Sequence, residues 1–247
     1  MSRIPADSTL TPTAFAAPEG EHVSVGATLR EAGFARRRAF LAMAIGAVVI
    51  SVSGIAAAAL VEGTNYGRLK VPVPVESGKK IEVIEFFSYG CPHCAELETQ
   101  LSPWLAKLPA DVQFRRVPVF FQPNWVNLGK IYYTLEALGE DAKQSQAVFA
   151  AIHGGNQSLW NDKTFMDWAA SKGLDRKKVE EMYNSFAING KMNRARQLAE
   201  TYKIQSVPTV IVDGKFITAS DKVGGHAQLP AAIDELIAKA RAERPKG

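Results

Sequence analysis

The chain has 247 residues, enough for one domain with a large insertion and a sizeable core. Hydrophobic residues make up 47% and charged residues 22%, an ordinary globular balance that excludes a wholly disordered or collagen-like chain. Twenty-nine basic and 25 acidic residues leave a net charge of +4, which gives no case for nucleic-acid binding, and two cysteines exclude a disulfide-stapled miniprotein and a four-cysteine zinc site.

Residues 1–35 are rich in Ala, Thr, Ser, Pro and Gly without helical or strand period, and are expected to be a disordered leader. Residues 36–61 are expected to be a signal or membrane anchor. Arg36-Arg37-Arg38 precedes an uncharged run from Ala39 to Val61, and a basic cluster before an apolar stretch directs the downstream chain out of the cytoplasm. The run is longer than a signal core of about 7–15 residues and close to the about 20 that span a bilayer. Ala57-Ala58-Ala59 offers small residues for cleavage, and Arg37-Arg38-Ala39-Phe40-Leu41 is similar to a twin-arginine export motif. Cleaved signal and retained anchor, with membrane association through residues 39–61, both stay open. In either case the rest of the chain is expected outside the cytoplasm, where disulfides persist.

Arg68 to Val75 reads as extended, with Pro72 and Pro74 confining it to a sheet edge. Ile81 to Phe87 is a strong buried strand. A helix is expected from Pro92 to Leu101, broken by Ser102-Pro103 before a short second helix, and a strand from Val112 to Phe120. From 122 to 204 the period turns helical: Leu128, Ile131, Tyr132 and Leu135; Val148, Ala151 and Ile152; Val179, Met182, Tyr183 and Phe186; Ala195, Leu198, Ala199 and Tyr202. Gly139, Gly154-Gly155, Gly173 and Gly190 punctuate these stripes. Val207 to Val212 and Lys215 to Thr218 then flank Asp213-Gly214, a two-residue hairpin signal, and Leu229, Ile233, Leu236, Ile237 and Ala240 share one face of a last helix.

The chemistry concentrates at Cys91-Pro92-His93-Cys94, between a strand and a helix. At the helix start the Cys91 sulfur faces unpaired N–H groups and the positive end of the dipole, which favours a thiolate near neutral pH. Pro92 suits the first helical position. His93 can donate a hydrogen bond or bring positive charge. Cys94 lies one turn on, deeper, within reach for a disulfide with Cys91, and fits a resolving role. Glu85 shares strand parity with Val83 and Phe87, so its carboxyl is expected to be buried with a raised pKa, while Glu82, of opposite parity, is the expected solvent-facing acid.

The segment from Glu85 through Cys94 resembles the active-site segment of the DsbA family, periplasmic thiol:disulfide oxidants of Gram-negative bacteria. The resemblance covers residues 62–247 and implies an α/β, thioredoxin-like fold with an inserted helical domain: 62–121 and 205–247 as the two thioredoxin-like parts, 122–204 as the insertion. It implies that Glu85 assists proton transfer to the second thiol. Glu98 also matches a family acid, and a solvated helix position suits it equally. On physics alone Pro208 in Ser206-Val207-Pro208-Thr209 would more often be trans, since only about 5–6% of X–Pro bonds are cis. The resemblance instead implies a cis-proline loop against the cysteines, with Val207 offering its backbone to a bound peptide. Gly224-Gly225-His226 reads as a loop into the last helix.

The expected function is therefore introduction of disulfide bonds into unfolded exported proteins with free thiols, by exchange at Cys91–Cys94 in the periplasm. The resemblance further implies a quinone-linked membrane reoxidase of the DsbB kind, and the chain is read as a monomer. No metal, flavin or nucleotide is implied. The rivals are a disulfide reductase or isomerase, although residues 62–80 are too few for an isomerase's dimerisation domain, and a non-catalytic peptide-binding chaperone.

Overall fold

The computed structural model describes residues 59–155 and 159–244. The expected leader, and the signal or anchor segment up to residue 58, lie outside the described residues. Among the described residues no helix is long and apolar enough to cross a membrane.

Strand β1 (Gly67–Arg68) is an edge strand, and of the expected extended stretch from Arg68 to Val75 only Arg68 lies within it. Pro72 and Pro74 have no N–H to contribute, but Leu69 and Val73 still donate to the carbonyls of Lys215 and Gly214, at 2.8 and 2.9 Å. Strand β2 (Ile81–Phe87) is buried at every residue. That corrects the expectation for Glu82: a strand covered on both faces has no solvent side, and Glu82 accepts hydrogen bonds from Arg115 Nε and Nη2, at 3.2 and 3.3 Å, and from the Glu76 N–H.

Helix α1 (Pro92–Leu105) runs through Ser102-Pro103 instead of breaking there. Ser102 turns its hydroxyl to Glu98 Oε1, 2.9 Å away, and does not cap a new helix. Pro103 forfeits one N–H, and the helix ends two residues later. Strand β3 (Val112–Pro118) runs parallel to β2 with Glu85 beside Arg116, and stops two residues short of the expected end.

Five helices follow: α2 (Trp125–Ala137), α3 (Asp141–His153), α4 (Asp162–Ser171), α5 (Arg176–Tyr183) and α6 (Phe186–Thr201). The expected stripe through Phe186 is split. Ser185 Oγ accepts from the Ile188 N–H and caps α6, so Phe186 opens a new helix and is 94% exposed. Gly190 sits inside α6 and punctuates nothing. None of the expected stripes covers helix α4; Asn161 caps it, and Phe165, Met166, Trp168 and Ala169 form its buried face.

Strands β4 (Thr209–Val212) and β5 (Phe216–Thr218) form the expected hairpin. Asp213 and Gly214 both have positive φ, 54° and 62°, as a tight primed turn requires. A Cβ on Gly214 would lie 2.0 Å from the Val73 carbonyl oxygen, so the edge segment can cross there only over glycine. Helix α7 (Leu229–Glu243) closes the chain. The sheet order is β1-β5-β4-β2-β3, with β2 and β3 the one parallel pair. One apolar cluster joins Ile84, Phe86 and Val117 to the five-helix block. The other joins Val83, Leu97, Leu101 and Val210 to Ile233 and Leu236 of α7. Interior strand β2 is thus clamped between two cores, and after its end at Phe87 four residues lead to the start of α1 at Pro92.

Candidate active site

Cys91 is the N-cap of α1, with extended backbone (φ −95°, ψ 117°), and Pro92 takes the first helical position. The turn before it is held from two directions. The Cys91 N–H donates to the Ser88 carbonyl at 3.0 Å, and His153 Nε2 meets the Tyr89 carbonyl at 2.8 Å from the end of α3. Gly90 lets Trp125 pack against the turn; a Cβ there would lie 2.6 Å from the indole nitrogen.

Both cysteines are free thiols. Cys94 is 1% exposed. Cys91 is only 6% exposed, less open than a helix start alone suggests, because the Val207 loop lies over it: Cys91 Sγ lies 3.4 Å from the Val207 carbonyl oxygen, to which it donates when protonated. The Val207–Pro208 peptide is cis. The two sulfurs are driven apart electrically. Cys91 is pulled down to about 6, first by the Cys94 thiol donating to its sulfur and then, against the cost of burial, by the N–H groups of Cys94 and His93 and the charge of His93. Cys94 is held well above an ordinary thiol, first by burial, then by that same hydrogen bond and by the nearby Glu85 charge. His93 therefore ranks behind Cys94 among the groups that stabilise the Cys91 thiolate. Its ring is largely exposed and turns to Glu96, with Nδ1 3.2 Å from Oε2.

Beneath the sulfurs lies a buried ionic floor. Arg116 Nε donates to Glu85 Oε2 at 2.8 Å, Nη2 to Glu98 Oε2 at 2.6 Å, and Nη1 to Ser145 Oγ at 3.3 Å. All three charged side chains are 5% exposed or less. Burial raises the Glu85 carboxyl above its ordinary range despite Arg116, whose two carboxylate partners keep it charged. Glu98 is correspondingly a buried ion-pair partner and not a solvated helix residue, because it sits one turn beyond Cys94 on the same inward face of α1.

A cavity of about 400 Å³ opens beside Cys91, lined by His93, Ser206, Val207, Pro208, Ser220 and His226 among others. Strand β4 is entered through its loop, so the backbone of Val207 faces the helix start.

Residues 77–235 match the family model described as Thioredoxin. The chain is 42% identical to the thiol:disulfide interchange protein DsbA of Pseudomonas aeruginosa over 210 residues, covering 84% of this chain and 97% of that one. It is 38% identical to the protein of the same name from Burkholderia cepacia, covering 73% and 85%. The chain belongs to the DsbA family. Among solved structures, Pseudomonas aeruginosa DsbA superposes with a TM-score of 0.71 at 42% identity, over 74% of this chain and 95% of that one. Reduced DsbA1 from Neisseria meningitidis does so with 0.68 at 32%, over 76% and 98%. The fold is thioredoxin-like, and the chain is a periplasmic thiol:disulfide oxidoreductase that introduces disulfide bonds.

In this DsbA-family site the structure brings together every residue singled out in the sequence: Cys91, Pro92, His93, Cys94, Glu85, Val207 and Pro208. Sequence reasoning missed Arg116 and His226. Arg116 carried a signal, since it shares strand parity with Val112 and Phe114 and should point inward with them. His226 carried none: it reaches the motif only through the fold, with Nε2 3.2 Å from Glu96 Oε2.

Proposed function

We propose that the chain oxidises exported proteins that carry free thiols, with Cys91 forming the mixed disulfide and Cys94 released from the enzyme disulfide as a thiol. A substrate thiolate attacks the Cys91 sulfur of the Cys91–Cys94 disulfide. The S–S bond breaks, its electron pair goes to Cys94, and that sulfur takes up a proton, which Glu85 is placed to relay. A second substrate thiolate then attacks the substrate sulfur of the mixed disulfide and expels Cys91 as a thiolate. The substrate dithiol ends as a disulfide, and the enzyme disulfide as a thiolate and a thiol. The observation that carries this reading is the opposed shift of the two thiols. A sulfur near pKa 6 is the better leaving group, while one held well above the ordinary range keeps its proton. The Val207 backbone, beside the sulfur, supports recognition through the main chain of an extended peptide, independent of its side chains.

Stabilising the Cys91 thiolate stabilises the reduced enzyme, which makes the disulfide oxidising and favours oxidase over reductase. Turnover then needs a reoxidant, for which a quinone-linked membrane protein of the DsbB kind is our reading, together with a monomeric enzyme tethered or released at residues 39–61. The division of labour is tested by trapping: Cys94→Ala should accumulate mixed disulfides with client proteins and Cys91→Ala none. Trapping by Cys91→Ala instead would reverse the roles.

A further inference from the structure

Outside the exchange chemistry, one side-chain cluster at the rim has an unexplained geometry. His93 comes from the first turn of α1, Glu96 from the next turn, and His226 from the loop before α7. His93 Nδ1 and His226 Nε2 both stand 3.2 Å from the same atom, Glu96 Oε2. The three ligand atoms all lie within 4.8 Å of one another, and this is the only such group among the described residues. A tetrahedral ion with bonds of about 2.0–2.1 Å separates its ligand atoms by about 3.3 Å, which matches both nitrogen–oxygen spacings. His226 is also oriented from behind: its Nδ1 lies 2.8 Å from Ser220 Oγ. With the Nδ1 proton given to that hydroxyl, Nε2 turns its lone pair toward Glu96, the tautomer a metal requires.

We infer that His93, Glu96 and His226 form a binding site for a divalent transition metal of the zinc class. Two imidazoles and one carboxylate are borderline N/O donors suited to that class, and their summed charge of −1 is compatible with a dication open to water at its remaining position. Both imidazoles would ligate the ion through a neutral ring nitrogen. The location gives the site a consequence. His93 and His226 line the same cavity as Val207 and Pro208, so an ion tying the two rings together spans the mouth of the cavity. If that cavity is the peptide platform proposed above, metal and substrate compete.

The test uses the oxidised full-length chain, in which Cys91 and Cys94 are joined and offer no thiolate. Zn²⁺ is titrated in competition with a chromophoric chelator near neutral pH. One ion should bind, about 10-fold more weakly in Ser220→Ala, and more weakly still in Glu96→Gln and His226→Ala, with no change in the control His22→Ala. No binding to the oxidised chain, or binding indifferent to Glu96→Gln and His226→Ala, overturns the site. Competition is read separately, as the ratio of dithiol-peptide oxidation rates with and without Zn²⁺. The ratio should fall in the unmodified chain and return toward one in His226→Ala. Equal ratios in the two chains would overturn competition, while the binding titration stands or falls independently of the exchange mechanism.

Discussion

Two ionic clusters flank the cysteines, one on each side of α1's first turns. Beneath lie Glu85, Arg116 and Glu98, drawn from β2, β3 and α1 and shut from water. Above lie His93, Glu96 and His226, with Glu96 open to solvent and shared between two rings. The floor acts where water is absent, so each charge there is felt in full, and Glu85 reaches the Cys94 thiol through space. At the rim solvent screens the same kinds of charge, and the charge of His93 lowers Cys91 less than the hydrogen bonds to its sulfur from Cys94 and from the backbone do. Burial, more than distance along the chain, decides which charges set thiol reactivity.

The largest difference between floor and rim is expected at Arg116. Arg116→Met leaves two buried carboxylates without their partner and should cost about 3–5 kcal/mol in denaturant unfolding at neutral pH. Glu96→Gln should leave the unfolding midpoint where it is. The sign with pH is defined. The folded pKa of Glu85 lies above its unfolded one, so the folded state gains stability as pH falls from the folded value to the unfolded one, and loss of Arg116, which holds that carboxyl down, widens the gain. The deficit of Arg116→Met should therefore shrink on acidification. Similar midpoints for the two variants would erase the distinction between floor and rim.

Glu85→Gln separates proton transfer from ion pairing within the floor. It keeps shape but removes the exchangeable proton, so the step that turns over the Cys94 sulfur should slow by about 100-fold, the lower end of general acid–base contributions. Attack at Cys91, followed by rapid mixing, should persist. Unchanged turnover across about pH 6–8 would make Glu85 a structural residue only.

A smaller effect links redox state to pH. The folded Cys91 pKa is depressed, so the stability it contributes is present above its unfolded value of about 8.5 and is lost as pH falls through about 6. Acidification from about pH 7 to about pH 5 should cost the reduced protein about 1 kcal/mol relative to the oxidised one, which has no thiol to titrate. Cys94, protonated in both folded and unfolded chains in this range, adds nothing. Parallel pH profiles for the two redox forms would contradict the low Cys91 pKa.

What could be read in advance follows from how local each interaction is. The bounds of β2, the Asp213-Gly214 turn and the capped Cys91-Pro92 start of α1 depend on neighbours within a few residues, and the chain shows them directly. Glu85 was legible as buried from parity alone. Its partner was not, because pairing with Arg116 requires the parallel register of β3 against β2. The error at Glu82 has the same root: alternation assigns one face to water, and only the second core on the other side of β2 removes that option. Glu98 and Pro103 show the limit within one helix, where a buried carboxylate fixes Ser102 and a proline is absorbed near the helix end. His226 joins the rim from 130 residues beyond Glu96, a distance no local pattern encodes.

Cys91 rests as a thiolate made mainly by its deeper neighbour. The most direct test is titration of the reduced protein by ultraviolet thiolate absorbance. One sulfur should ionise near pH 6 and disappear in Cys91→Ser. Its pKa should rise clearly in Cys94→Ser, whose hydroxyl replaces the leading thiol donor, and less in His93→Ala, which keeps the backbone N–H. A first ionisation only near the ordinary thiol value of about 8.5, or a larger rise in His93→Ala than in Cys94→Ser, would show that Cys94 is not the main source of the thiolate.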